Sequence, residues 1–279
     1  MEVPGGVYLC QVNETVSCGA CCGLYNTADT SFETMQARLA ARTDGFSRVR
    51  RDPPSIEAFA LEVKRREPGE RPLSGFHHCP FVGLIGAERS RVGCLLHPLA
   101  PGNGGRDYRG LSHYGGMACK ICFCPAHRVL APRHREVLRD TAPDWHAYGI
   151  LITEARTLDR LFRAAEAAAG GRLAPEPLQR GPGIRQAVRA LYDLVLRWPF
   201  RRPGFPLGTY FLGDGQLSKP SVDYAPAGGC GSRHDAALRE LATSFRSSDE
   251  LTSAEGLLEE ALGGLAASMR DKRLEAARG

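Results

Sequence analysis

Nine of the ten cysteines in this chain of 279 residues lie before residue 125, and this uneven distribution constrains the fold more than any other feature. Only Cys230 lies in the second half. Clustered thiols in a chain without a secretory signal are more often metal ligands than disulfide partners, because disulfides do not persist in a reducing compartment. The distribution therefore predicts that metal, rather than disulfides, organises the first half of the chain.

The spacing of the thiols supports this prediction. Cys18 and Cys21 are separated by two residues, and this spacing lets the chain wrap around one ion. Cys22 follows directly, so one of Cys21 and Cys22 serves the first ion and the other a second ion or a bridging position, or the two form a strained vicinal disulfide. Nine thiols exceed the four that a tetrahedral zinc requires, and they suit two metals, or one cluster plus structural thiols. The candidate metal ligands are Cys10, Cys18, Cys21, Cys22, Cys79, Cys94, Cys119, Cys122 and Cys124.

Hydrophobic periodicity predicts a mainly α-helical protein with a small, irregular, metal-organised cysteine-rich region that contains a β-hairpin. Two apolar runs, Phe81 to Ile85 and Val92 to Leu96, flank a polar turn and predict the hairpin. Thr30 and Thr252 each precede a glutamate by three residues, and this pattern predicts two helix starts with capping boxes.

The character of the sequence changes near residue 146. Beyond it, apolar residues recur at helical spacing, for example between Leu158 and Ala165. We expect a cysteine-rich metal-binding region at 1–146 and a mainly helical region at 147–279. Whether the two regions fold separately or pack as one unit stays open at this point.

The order of the cysteine motifs resembles that of a known family. The block Cys18-Gly19-Ala20-Cys21-Cys22 is followed by Cys79, then by Gly93-Cys94-Leu95-Leu96-His97-Pro98, then by a final cysteine group. Over residues 10–127 this order is similar to that of the YkgJ-like cysteine-cluster proteins, which are described as zinc- or iron-chelating. The resemblance implies that the matching cysteines bind metal.

Two departures from the family pattern leave parts of the correspondence open. Seven residues separate Cys10 from Cys18, where the family has two. A Gly-rich insertion, 102–116, precedes the last group, so which of Cys119, Cys122 and Cys124 matches the family's final cysteine is not fixed.

Thiolate ligands select zinc or iron, including iron–sulfur clusters, over magnesium or calcium. The leading hypothesis is therefore a protein that binds zinc or iron in a structural role, with Cys18, Cys21, Cys79 and Cys94 as the primary ligands. Nearby histidines could complete the coordination: His77, His78, His97 and His127.

An enzyme or redox protein with an iron–sulfur cluster or an open zinc site is the first alternative. The residues nearest to the thiols that could serve it are Asp107, Tyr108 and His113. Phosphate-binding loops, nucleophile elbows and the HExxH zinc motif are missing from the sequence. We therefore assign no catalytic residues and no organic cofactor, and a non-enzymatic role is favoured.

A zinc-dependent nucleic-acid-binding module is the second alternative. Its basic residues would be Arg128, Arg133, Arg135 and Arg139, with a further group at Arg48, Arg50 and Arg51. Acidic residues interrupt both runs, and no zinc-finger spacing of two cysteines and two histidines is present. Nucleic acid is therefore not the expected partner.

The charge and hydropathy patterns limit partners and location. A net charge of +5, from 36 basic and 31 acidic residues, is small for this length. No apolar stretch approaches the roughly 20 residues that span a bilayer, and Met1 to Leu9 lacks the features of a secretory signal. We expect a cytoplasmic protein whose partner is a metal ion and not a membrane. The oligomeric state, any substrate and the role of the helical half stay open.

Overall fold

The computed structural model describes residues 7–67, 69, 71–76, 78–112, 115–116, 124–175, 182–208 and 219–278, with the backbone alone at 182 and 272–278. Its α-helices are α1 (Phe32–Ser47), α2 (Pro53–Arg66), α3 (Ala126–Val129), α4 (Pro132–Thr141), α5 (Trp145–Thr153), α6 (Ala155–Ala169), α7 (Pro182–Leu196), α8 (Asp235–Glu240) and α9 (Ser248–Arg278). Two strands, β1 (Val82–Ile85) and β2 (Arg91–Cys94), form the sheet. Single 3-10 turns cover Ala20–Cys22, Arg109–Leu111 and Ala225–Ala227.

The β-hairpin packs directly against α1. Its antiparallel register pairs Val82 with Cys94 and Leu84 with Val92. The Thr43 hydroxyl of α1 accepts a hydrogen bond from the Leu84 amide at 2.8 Å and lies 3.0 Å from the Leu84 carbonyl, to which it donates. A Cβ at Gly83 would lie 2.6 Å from the Thr43 Oγ1 atom, so this close packing requires glycine. The hairpin predicted from the two apolar runs is confirmed.

The starts of α1 and α2 are set by side-chain oxygens. Ser31, not Thr30, occupies the N-cap of α1, so the predicted cap is wrong. The Asp29 carboxylate holds the segment that enters the helix by accepting hydrogen bonds from the Ser31 amide at 2.8 Å and the Thr34 hydroxyl at 2.7 Å, while Ser31 makes no capping hydrogen bond with its side chain. Helix α2 begins where Asp52 accepts from the Ser55 amide, with proline at the first helical position.

The second half is built around α9, which packs against α6 and α7. The predicted start of this helix at Thr252 is wrong, because the helix begins one turn earlier, at Ser248. The Ser247 hydroxyl accepts a hydrogen bond from the Glu250 amide at 3.3 Å, which is the hydrogen bond of a capping box. Apolar residues on all three helices, including Leu158, are fully buried.

Helix α5 joins the cysteine-rich segment to the helical half. It packs against the 3-10 turn Ala20–Cys22 on one side and against α7 on the other. The Tyr148 hydroxyl donates to the Leu9 carbonyl at 2.9 Å, and the Tyr25 hydroxyl donates to the Trp145 carbonyl at 3.3 Å. The proposed boundary between 1–146 and 147–279 falls within α5, and the division into two regions stays a prediction.

The structure is 53% helical with a small two-stranded antiparallel hairpin, as expected for the mainly α class. That metal organises the cysteine-rich region stays a prediction. Among the described residues, no helix is both long enough and apolar enough to cross a bilayer.

Candidate metal centre

The first cysteine-bearing segment forms a narrow loop against the edge of β2. Gln11 and Ser17 form an antiparallel bridge, and the Cys18 amide donates to the Cys10 carbonyl at 2.8 Å. The Ser17 hydroxyl and the Gln11 side-chain amide then bond the Val92 amide and carbonyl, both at 2.8 Å. This ladder brings Cys10 and Cys18 to adjacent positions, although seven residues separate them in sequence.

The Cys18–Cys22 block turns tightly. The Cys18 Sγ atom accepts from the Ala20 amide at 3.4 Å, and the 3-10 turn ends at Gly23 with φ of 75°. A Cβ at Gly19 would lie 2.8 Å from the Leu24 side chain, so glycine is required for the turn to pack here. The block thus turns back on itself within five residues, as a loop that surrounds an ion must.

Two buried groups, Cys18 and Tyr148, are affected by the charges of several thiols. Burial raises the pKa of the Cys18 thiol well above its usual value, and the charges of Cys21 and Cys10 raise it further. Burial likewise raises the pKa of Tyr148, with further increases from Cys18, Cys10 and Cys124. Cys124 is more than 100 residues away from Cys10 and Cys18 in sequence. We call Cys10, Cys18, Cys21 and Cys124 the Tyr148 thiol group.

The other described thiols of the first half are attached to the hairpin. The Cys79 amide donates to the Cys22 carbonyl at 2.9 Å, so the block at 18–22 contacts the chain just before β1. Cys94 ends β2 opposite Val82. The buried Arg42 guanidinium donates to the Cys79 carbonyl at 3.2 Å, and this contact fixes the backbone at Cys79.

Each of the three described candidate histidines accepts a hydrogen bond at one ring nitrogen. His78 Nε2 lies 3.0 Å from an Arg42 guanidinium nitrogen, which can only donate. His97 Nδ1 accepts from the Leu99 amide, and His127 Nδ1 accepts from Arg135. A neutral imidazole that accepts at Nδ1 carries its proton on Nε2. His97 and His127 are therefore poorly arranged to bind metal, because one ring nitrogen accepts a hydrogen bond and the other carries the proton. His77 lies outside the described residues.

The predicted ligand set is only partly described. Cys119 and Cys122 lie outside the described residues, and none of the eight described cysteines is in a disulfide. Among described side chains, no three His, Cys, Asp or Glu residues form a group able to hold a metal ion. The donor chemistry of the Tyr148 thiol group suits a soft metal, and a complete coordination shell is a prediction.

Several of the residues considered for the two alternatives are held by hydrogen bonds or ion pairs within the described chain. Asp107 forms a two-bond ion pair with Arg109, and the Tyr108 hydroxyl donates to the Arg51 carbonyl at 3.0 Å. His113 lies outside the described residues. In the basic run, Arg133 is paired with Glu166, and Arg135 is buried.

Sequence reasoning missed Tyr148 and Arg42. Arg42 occurs at the apolar spacing of Met35, Leu39 and Phe46 on α1, and this position was a signal that its charge is buried. Tyr148 lies in a helix that is apolar on all sides, where a hydroxyl needs a partner. Neither residue has a motif around it.

No family model, curated protein or solved structure matches the chain. The site must therefore be interpreted from its own geometry and chemistry.

Proposed function

We propose that this protein binds zinc or iron through its cysteine cluster, and that the metal has a structural role. The observation that carries the proposal is the clustering of the thiols: nine of the ten cysteines lie before residue 125, and the Cys18 amide donates to the Cys10 carbonyl at 2.8 Å, which sets these two cysteines side by side. Cys10, Cys18 and Cys124 each raise the pKa of Tyr148, although among the described side chains no three His, Cys, Asp or Glu residues form a group able to hold an ion. The likeness to the YkgJ-like proteins and a reducing, cytoplasmic location are parts of the same proposal.

The physical argument concerns charge. Burial and the charges of Cys21 and Cys10 both disfavour the thiolate of Cys18, as its raised pKa records. A bound divalent cation would reverse both effects, because it holds coordinating thiols in the deprotonated form. Soft sulfur donors select zinc or iron among the common cations.

The first experiment is elemental analysis with an absorption spectrum on protein purified without oxygen. Zinc in a colourless sample would support a structural site. Iron with acid-labile sulfide and broad visible absorption would support a cluster and make electron transfer the working hypothesis. Protein that contains neither metal would contradict the proposal.

Variants locate the ligands. Cys18→Ser and Cys21→Ser are each expected to reduce bound metal by at least about half, because loss of a thiolate ligand weakens a tetrahedral site. Cys230→Ser is the matched control, since Cys230 is exposed and lies far from the cluster in sequence. Full metal retention in Cys21→Ser would exclude this ligand assignment.

A further inference from the structure

A second polar feature lies beside α1, and nothing in the metal proposal uses it. A cavity of about 450 Å³ is lined by residues of α1, the end of α2, and Gly69, Arg71 and His78. Four arginines line it, Arg38, Arg42, Arg66 and Arg71, and Glu67 is the only carboxylate among the described lining residues. Its volume is within the range of small-molecule sites.

The Glu67 carboxylate already forms an ion pair with Arg42. Arg42 is 2% exposed and donates to Glu67 from Nε at 2.8 Å and from Nη2 at 2.5 Å, which is a two-bond fork. Arg38 is more distant, with its Nε 3.6 Å from Glu67. Arg66 is paired at the surface with Glu62, its Nη2 lying 3.4 Å from the Glu62 carboxylate. Among the described residues, the two carboxylates Glu62 and Glu67 therefore face four arginines, which leaves an excess of positive charge at the cavity.

Arg71 is the most informative member of the lining. It is half-buried, and it makes no hydrogen bond or ion pair with any described residue. Its segment is held in place by Asn26, whose buried side chain bonds the Leu73 amide and carbonyl at 3.0 and 2.9 Å. Arg71 is thus held in place with no oppositely charged partner among the described residues. This arrangement disfavours the folded state, because like charges in a concave, partly desolvated site repel.

Neutral donors complete the lining. Thr27 lines the cavity, and its hydroxyl accepts from Arg38 at 3.1 Å, which leaves its own proton available to donate. Thr34 also lines the cavity, but its hydroxyl donates to Asp29. Guanidinium forks and hydroxyls are the donors that bind phosphate and carboxylate oxygens.

We propose that this cavity binds a small, multiply charged oxyanion through Arg38, Arg66 and Arg71. The ligand would bear phosphate or carboxylate groups, whose oxygens the guanidinium groups bind by paired hydrogen bonds. The buried Arg42–Glu67 pair forms the rigid floor of the site and does not itself need a ligand.

Calorimetric titration of the metal-loaded full-length protein tests the proposal, with inorganic phosphate and succinate as probes at ionic strength held constant with sodium chloride. We expect saturable binding at one site. Arg71→Gln is expected to weaken this binding at least tenfold. Arg65→Gln, an equal charge change at an exposed position on α2 outside the cavity, is expected to change it less than twofold.

The two probes distinguish the two classes of ligand that the cavity could bind. Binding of phosphate alone identifies a phosphate-bearing ligand, and binding of succinate identifies a carboxylate. Arg38→Gln is a second variant in case Arg71→Gln fails to fold, as judged by circular dichroism. The proposal is overturned if neither probe binds beyond the chloride background, or if Arg65→Gln and the cavity variants weaken binding equally. Binding that Cys18→Ser abolishes and Arg71→Gln leaves intact would place the anion on the metal instead.

Discussion

His134 is fully buried in the helical half, and two carboxylates contact its two ring nitrogens. It is 0% exposed, with Nδ1 2.8 Å from Asp159 and Nε2 3.1 Å from Glu166. Arg163 and Arg133 bind the outer oxygens of the same carboxylates. This network connects α4 to α6 beside the packing of the His134 ring on Phe162, so part of the contact between the helices depends on ionised carboxylates.

The network predicts acid sensitivity. Burial tends to raise the pKa of Asp159, but hydrogen bonds from His134, Arg163 and the Ala131 amide outweigh it and hold the value at about 2. The same balance, with Arg133, the Leu173 amide and His134 as donors, holds the pKa of Glu166 at about 2. Because these folded-state values lie below the unfolded values of about 4, their contribution is present above about pH 4.5 and is lost as the pH falls toward 2.

The substitution Asp159→Asn tests whether the ionised carboxylates around His134 stabilise the protein. We expect the free energy of unfolding at pH 7 to fall by about 1–3 kcal/mol, since charge-assisted hydrogen bonds are lost. The decline in stability between pH 4.5 and 2 should also become shallower. Urea unfolding at a series of pH values measures both. Asp193→Asn is the control, because Asp193 is exposed and its side chain makes no hydrogen bond or ion pair within the described residues; an equal effect there would refute the network's role.

At the scale of elements, the contact between α5 and the cysteine block requires a glycine. A Cβ at Gly149 would lie 1.6 Å from the Tyr25 hydroxyl, far inside any allowed contact. Tyr25 follows the cysteine block by three residues and is 1% exposed, so it cannot move aside into solvent. Helix α5 can therefore lie this close to the cysteine block only because Gly149 has no side chain.

Matched glycine substitutions test this packing. Gly149→Ala should destabilise the protein by roughly 2–4 kcal/mol, because Tyr25 must be displaced from a packed core. Gly256→Ala on α9 should stabilise it by about 0.5–1 kcal/mol, since a Cβ there meets nothing within 4 Å and alanine is the better helix former. Thermal denaturation of both variants gives the comparison. Two shifts of the same sign would contradict the packing argument.

The elements also show what sequence patterns can predict. The hairpin and the helical half were predictable because alternation and helical periodicity report which face of an element is buried. The helix starts at Thr30 and Thr252 were misplaced because Ser31 occupies the N-cap of α1 and Ser247, not Thr252, accepts the capping hydrogen bond of α9. Local pattern alone does not decide between competing caps.

The candidate site was predictable only in its residue types. The clustered thiols indicated soft-metal chemistry, and spacing suggested that neighbours in sequence would share an ion. That Cys124 acts on the same tyrosine as Cys10 and Cys18 depends on where α5 places Tyr148. Contacts between distant segments of this kind are fixed by tertiary packing, which single-sequence periodicity does not report.

At the scale of the whole molecule, one apolar core includes residues from both halves. The buried hydrophobic cluster extends from Val7 to Met269, and Tyr148 hydrogen-bonds Leu9 across the candidate metal centre. A perturbation of the cysteine-rich segment therefore reaches α5 directly, and α5 packs on α7. We expect the molecule to unfold as one cooperative unit.

Metal removal tests this coupling. A membrane-impermeant chelator should lower the melting temperature of the single transition by about 10 °C or more, because metal binding to the native thiols contributes directly to the free energy of folding. Scanning calorimetry gives the number of transitions and their midpoints, and excess zinc added after the chelator should restore the original midpoint if zinc is the native metal. Cys230→Ser should respond to the chelator as the wild type does. Two resolved transitions, of which the chelator shifts only one, would show instead that the cysteine-rich region and the helical half unfold independently, despite the contact that Tyr148 makes with Leu9.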